Sequence, residues 1–145
     1  MLDNVTPFDA LVKEVDEIDG YLSESISEKI EDVLDRGNIV SELINRTGKM
    51  VADSEYHLDS FRTSEIMSIL KDTAKLQLPA SVMKQLVDSA CKDYNHLAKR
   101  CERLNKAAVH QLDWLRTVVS NAKSEREASK GFNTTRARQS DEGVF

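Results

Sequence analysis

The spacing of apolar residues predicts a chain made almost entirely of helix, and its longest repeat lies in the C-terminal half. Between Met83 and Ala122, apolar residues recur at alternating steps of four and three through six heptads. A 3.5-residue repeat of this length is typical of a helix that packs against other helices. We therefore expect an all-α fold. The seam positions, of which one is polar, are Met83, Val87, Ala90, Tyr94, Leu97, Cys101, Leu104, Ala108, Gln111, Leu115, Val118 and Ala122.

A first helix is predicted to begin at Thr6, which is a suitable N-cap. Pro7 suits the first helical position, because its missing N–H is not needed there. Gly20 lies inside the apolar pattern and could bend or break this helix. Gly37 is expected to end it as a C-cap. The sequence thus sets residues 1–37 apart as an acidic N-terminal helical segment.

Residues 38–128 are predicted to form a long, coiled-coil-like helical hairpin. Its helices span about residues 39–73 and 79–127, and the short connection ending at Pro79 favours an antiparallel arrangement. Residues 129–145 show little periodicity and are expected to form a flexible C-terminal tail. The first helix of the hairpin carries its own heptad-spaced stripe, made of Val40, Ile44, Thr47, Val51, Ser54, Leu58 and Phe61.

The net charge of −5 hides a gradient along the chain. Residues 1–37 hold three Lys or Arg against eleven Asp or Glu, whereas residues 79–145 hold twelve against eight. An acidic segment and a basic segment can attract each other within one molecule or between two molecules. No apolar run approaches the roughly 18 residues that cross a bilayer, and the N-terminus lacks the pattern of a signal peptide. We therefore expect a cytoplasmic protein without a membrane contact.

The sequence shows no pattern typical of a metal site, a cofactor site or a catalytic site. His110 and Asp113 can touch on one helix face, but no nucleophile accompanies them. The soft ligands lack the close spacing that places two ligands on one helical turn, and they are His57, Cys91, His96, Cys101 and His110. We expect no enzymatic activity, no cofactor and no small-molecule substrate.

Basic residues on the third predicted helix make it a candidate for contact with nucleic acid. Over four turns this helix carries Lys92, Lys99, Arg100, Arg103 and Lys106. Basic stripes bind phosphates because the contact releases counterions. The alternative is that this face pairs with the acidic first helix. The sequence leaves both interpretations open.

Two residues of the third helix suggest further contacts. Trp114 flanks the seam, where it can pack beneath the first helix or form a hot spot for a partner protein. Gln111 is the one polar seam residue, and a buried polar residue in a coiled coil often sets register or oligomeric state at a cost in stability. On this hypothesis, replacing Gln111 with Leu would raise thermal stability.

The stretches from Leu43 to Leu58 and from Cys101 to Arg116 resemble small all-helical proteins encoded by bacteriophages and prophages. The resemblance covers about residues 39–126, in which a helix, a short connector and a long final helix follow one another. Such proteins are often encoded among replication and recombination genes. The resemblance implies a phage setting and, by association, a role linked to nucleic acid.

These observations together predict a non-enzymatic helical structural or adaptor protein that acts through helix–helix contacts. A hairpin with two long apolar seams needs a third surface, so we expect a homo-oligomer or a complex with another helical protein. The alternative is an accessory nucleic-acid-binding protein of phage replication or recombination that uses the basic face of the last helix.

Overall fold

The computed structural model describes residues 4–73 and 76–141, and these residues form four helices. They are α1 (Phe8–Ser23), α2 (Ile30–Thr73), α3 (Ala80–Ala90) and α4 (Lys92–Asp141). The described residues contain no β-strand. The predicted all-α fold is confirmed.

Helices α2 and α4 form the predicted antiparallel hairpin. Arg36 near the start of α2 contacts Gln111, whereas Phe61 near its end stacks on Tyr94 at the start of α4. The heptad on α2 is continuous, and its buried positions are Val33, Val40, Thr47 and Ser54. Two of these are small polar residues, which let the two backbones approach closely.

A buried hydrogen-bonded group joins the middle of the hairpin. The Asn105 side-chain amide on α4 donates to the Thr47 hydroxyl at 3.0 Å and to the Ile44 carbonyl at 3.1 Å on α2. The Thr47 hydroxyl in turn donates to the Leu43 carbonyl at 2.7 Å. Because buried polar groups are costly unless they are paired, these bonds favour one register of α2 against α4.

Helix α1 fills the groove on one side of the hairpin. Its apolar residues Leu11, Val15 and Ile18 are buried. They form one cluster with Met50 of α2 and with Leu97, Cys101 and Leu104 of α4. This cluster is the main core, and the residues that α1 contributes to it follow the 3.6-residue periodicity of an amphipathic helix.

The start of the chain is fixed to α2 by polar contacts. The backbone N–H of Thr6 donates to Asp53 at 3.0 Å, and the His57 ring donates to the Thr6 carbonyl at 2.6 Å. Arg46 donates two hydrogen bonds to Glu14, and these hold the pKa of the Glu14 carboxyl below its usual value. Burial works to raise the pKa of Asp53, but hydrogen bonds from the Lys49 side chain and from Thr6 outweigh it and lower that pKa.

The predicted boundary between the first two helices is wrong. α1 ends at Ser23, and α2 begins at Ile30, so that Gly37 lies inside a helix and not at a C-cap. Gly37 has no positive φ, which a left-handed C-cap would require. The helix continues because Val33 and Val40, one heptad apart, are both buried against α4.

The predicted third helix is interrupted at Cys91, which separates α3 from α4. Cys91 has φ −85° and ψ 5°, outside the α-helical region. At this interruption Cys91 is buried, whereas the neighbouring seam position Ala90 is exposed. The other seam positions are buried or half-buried: Met83, Val87, Tyr94, Leu97, Cys101, Leu104, Ala108, Gln111, Leu115, Val118 and Ala122.

α4 does not end near residue 127. It continues as a helix to Asp141, whereas the sequence predicts a flexible tail from residue 129. Ile30, the first residue of α2, lies beside Ala122 and Arg126. Beyond that point every described side chain of α4 is exposed. We call residues 127–141 the arm.

Gln111 has partners on two other segments of the chain. It accepts a hydrogen bond from Arg36 Nε at 3.0 Å and donates one to the Leu22 carbonyl at 3.1 Å. Arg36 is only 9% exposed, lies over the Tyr21 ring at 3.9 Å, and donates to the Tyr21 carbonyl at 2.7 Å. Gln111 therefore fastens the end of α1 and the start of α2 to α4.

The Gln111→Leu variant should be less stable than the wild type, contrary to the expectation from the seam pattern. Leucine would leave Arg36 Nε and the Leu22 carbonyl without their partner, at a cost of about 1–3 kcal/mol. Urea unfolding curves would measure the change. His110→Leu is the matched control, because His110 is exposed on the same turn. A Gln111→Leu midpoint at or above the wild-type value would contradict this role.

Candidate functional site

The end of the hairpin where α2 meets α3 carries a concentration of exposed apolar side chains. We call this end the hairpin tip, residues 62–73 and 76–90. A solvent-open groove of about 570 Å³ runs between α2 and α3 there, with Ile66, Met83 and Val87 in its wall and Arg62, Lys84 and Asp88 among its polar lining. The exposed apolar residues of the tip are Ile66, Met67, Leu70, Leu76, Val82 and Leu86.

The tip is open because α1 does not reach it. α1 begins at Phe8, whose ring lies 4.6 Å from the Tyr94 ring, and Tyr94 stacks on Phe61 at 4.3 Å. This aromatic group closes one end of the core. Beyond Phe61, α2 lies beside α3 and the first turns of α4, and without α1 part of its apolar stripe stays in water.

The predicted basic residues divide into two groups. Arg100 donates to Asp16 of α1 at 2.7 Å, and Lys106 donates to Glu102 of its own helix at 2.8 Å. In the part of the chain that the structure describes, no ion pair joins Lys92, Lys99 or Arg103 to a carboxylate, and all three are exposed. Thus Arg100 pairs with the acidic first helix, as one interpretation expected, and the other three are open to solvent.

Lys92 and Lys99 line a shallow depression of about 650 Å³ at the start of α4. Arg62 of α2 and His96 also line it, together with Asp88, Asp93 and Asn95. The two carboxylates offset part of the positive charge. The depression is therefore polar and only moderately basic.

Trp114 is 53% exposed and does not lie beneath α1. The Leu22 carbonyl, near the end of α1, is level with Gln111. Trp114 follows Gln111 by one helical turn on the same face of α4, so α1 stops just short of covering it. Val109 on α4 is also exposed.

The cysteine and aspartate side chains considered above for metal binding or catalysis are buried or paired within the protein. Cys91 and Cys101 are buried free thiols, and burial raises the pKa of Cys101. Asp113 pairs with Arg116 at 3.5 Å, and the described contacts do not join it to His110. Within residues 4–73 and 76–141 no three His, Cys, Asp or Glu side chains are grouped as metal ligands would be.

Comparisons with known proteins give no relative for this chain. No family model matches it, and neither a curated protein nor a solved structure does. The phage resemblance stays a prediction. Among the helices described here, none is both long enough and apolar enough to cross a membrane.

The heptad pattern of the sequence does not identify the hairpin tip. Met67, Leu70, Val82 and Leu86 lie outside both predicted seams, and they are a signal that could have been used. Apolar residues on the outer side of an amphipathic helix need another surface to cover them, and here they recur at the end of one helix and the start of the next.

Proposed function

We propose that this chain is a non-enzymatic helical structural or adaptor protein that binds other proteins through helix–helix contacts. The observation that supports this most is the exposed apolar surface of the hairpin tip. Six exposed apolar side chains lie at this one end of the hairpin, and grouped exposed apolar side chains mark interaction sites. The open groove between Ile66 and Met83 has the form that an amphipathic helix of a partner could enter.

The total exposed surface supports the same proposal. The chain exposes 10853 Å², whereas a compact monomer of 16.4 kDa would expose about 7500 Å². The excess is several times the roughly 800 Å² per partner that a standard interface buries. A protein with so much open helical surface is suited to assembly with other chains.

Replacing two apolar residues of the tip should weaken partner binding and leave the fold intact. The variant is Leu70→Ser with Leu86→Ser, and these side chains are 49% and 45% exposed. Leu34→Ser with Ile39→Ser is a closely matched control, because those residues are also 49% and 45% exposed but lie at the other end of α2. Proteins captured from the native host by the wild type would be purified and titrated calorimetrically.

We expect the tip variant to bind the partner at least about tenfold more weakly and the control to bind like the wild type, because buried apolar anchors carry most interface energy. Equal loss in both variants, or no loss in either, would contradict the assignment of the tip. Circular dichroism of each variant would check that helix content is unchanged.

A second candidate function is nucleic-acid binding along the start of α4. The observation that favours it is the absence of described carboxylate partners for the exposed Lys92, Lys99 and Arg103. The Arg100–Asp16 ion pair counts against a wider footprint, because it joins one predicted contact residue to α1. The phage resemblance agrees with this candidate by association alone.

Reversing these three charges should weaken any DNA binding. Fluorescence anisotropy of labelled single- and double-stranded DNA across a salt titration would compare the wild type with the triple variant Lys92→Glu, Lys99→Glu and Arg103→Glu. Three lost phosphate contacts would make the negative slope of log affinity against log salt less steep by about 2 to 3. The control Lys13→Glu, Lys29→Glu and Lys84→Glu changes the net charge equally. No wild-type binding at low salt, or equal weakening by both variants, would exclude this footprint.

A further inference from the structure

The arm of α4 lies outside the intramolecular core. Its described side chains, residues 127–138, are all exposed, and Phe132 is 70% exposed. A helix of about 15 residues that is polar on nearly every side is marginal in water by itself. The exposed Phe132 ring gives this segment an apolar side chain that another surface can cover.

Trp114 and Phe132 lie on the same face of α4. Eighteen residues separate them, which is five turns at 3.6 residues per turn and about 27 Å. Two copies of α4 that run antiparallel, with residue 123 of each at the same level, place Trp114 of each copy opposite Phe132 of the other. In this register Val118 is level with Ala128 of the other copy, and Asn121 is level with Glu125.

The charges near this surface are complementary between two copies. The connection between α1 and α2 borders this part of α4, because Leu22 bonds to Gln111 and Ile26 packs against the cluster that contains Leu115. Its exposed acidic residues are Glu24, Glu28, Glu31, Asp32 and Asp35. Of the exposed basic residues at the end of α4, Arg136 lies one turn after Phe132 on the same side of the helix, whereas Lys123 and Lys130 lie on the opposite side.

We propose that two copies of this chain associate through antiparallel α4 helices, so that the arm of each copy lies beside the part of the other α4 that carries Trp114. Trp114 of each copy then packs on Phe132 of its partner, and the basic arm lies near the acidic connection. The pairing covers Trp114 where α1 stops. The pairing uses a surface separate from the hairpin tip. A test of the pairing therefore does not depend on whether the tip binds a partner.

The mass of the full-length chain, measured by analytical ultracentrifugation over a dilution series, would test the pairing. We expect a two-chain species whose dissociation shifts the emission of Trp114, the one tryptophan, to longer wavelength. Phe132→Ser should weaken association at least about tenfold, because each dimer loses two aromatic contacts. Leu86→Ser, at the tip, is the control and should associate like the wild type.

A cross-linking experiment would test the antiparallel register. His110 and Arg136 are exposed, and the proposed pairing places His110 of one copy level with Arg136 of the other. Identical residues would lie about 39 Å apart along the axis. A short bismaleimide should therefore join a mixture of His110→Cys and Arg136→Cys chains and neither variant alone. The native cysteines are fully buried, so the wild type is a low-background control.

Three results would overturn the proposal. They are a single-chain mass at every concentration, association that Leu86→Ser abolishes and Phe132→Ser does not affect, and cross-linking of either cysteine variant alone. The first would show that the arm remains uncovered by a second copy. The second would assign self-association to the tip, and the third would indicate a parallel pairing or a different register.

Discussion

The register of α2 against α4 is the constraint on which the rest of the molecule depends. The buried heptad on α2 has two aliphatic residues followed by two small polar ones, and Asn105 bonds to Thr47 where the helices come close. Since slippage would separate these groups in an apolar interior, the polar contacts select the register and the apolar contacts supply most of the stability. α1 then finds a groove of fixed width, and Gln111 and Arg36 fasten its end.

The same register determines where packing stops. α1 is 16 residues long, whereas α2 and α4 have 44 and 50 residues, so α1 covers only the middle of the hairpin. At one end the aromatic group of Phe8, Phe61 and Tyr94 closes the core, and the tip lies beyond it. At the other end Trp114 and the arm extend past α1. The surfaces proposed for interaction are thus the parts of two long helices that a short third helix cannot reach.

Much of this fold could be predicted from the sequence, because heptad spacing is a local property of the chain. The all-α class and the paired long helices followed from it. The end of α1 could not be predicted in this way, because glycine is typical of a helix C-cap and Gly37 follows an apolar pattern. Gly37 lies inside α2 because Val33 and Val40 are buried against the distant helix α4. The partners of Gln111 lie 75 and 89 residues away along the chain, so its structural role could not be predicted locally. The interruption at Cys91, next to the exposed Ala90, is not marked by any turn residue in the sequence.

Amide hydrogen exchange of the full-length chain at high dilution would test most directly the central claim that intrachain packing is confined to the middle of the hairpin. Exchange reports the free energy of local opening, which is greatest where buried contacts are densest. The account predicts the slowest exchange in residues 40–54 and 97–115, with the tip and the arm exchanging much faster. Equal protection of the arm and of residues 97–115 at dilutions that leave only single chains would contradict it.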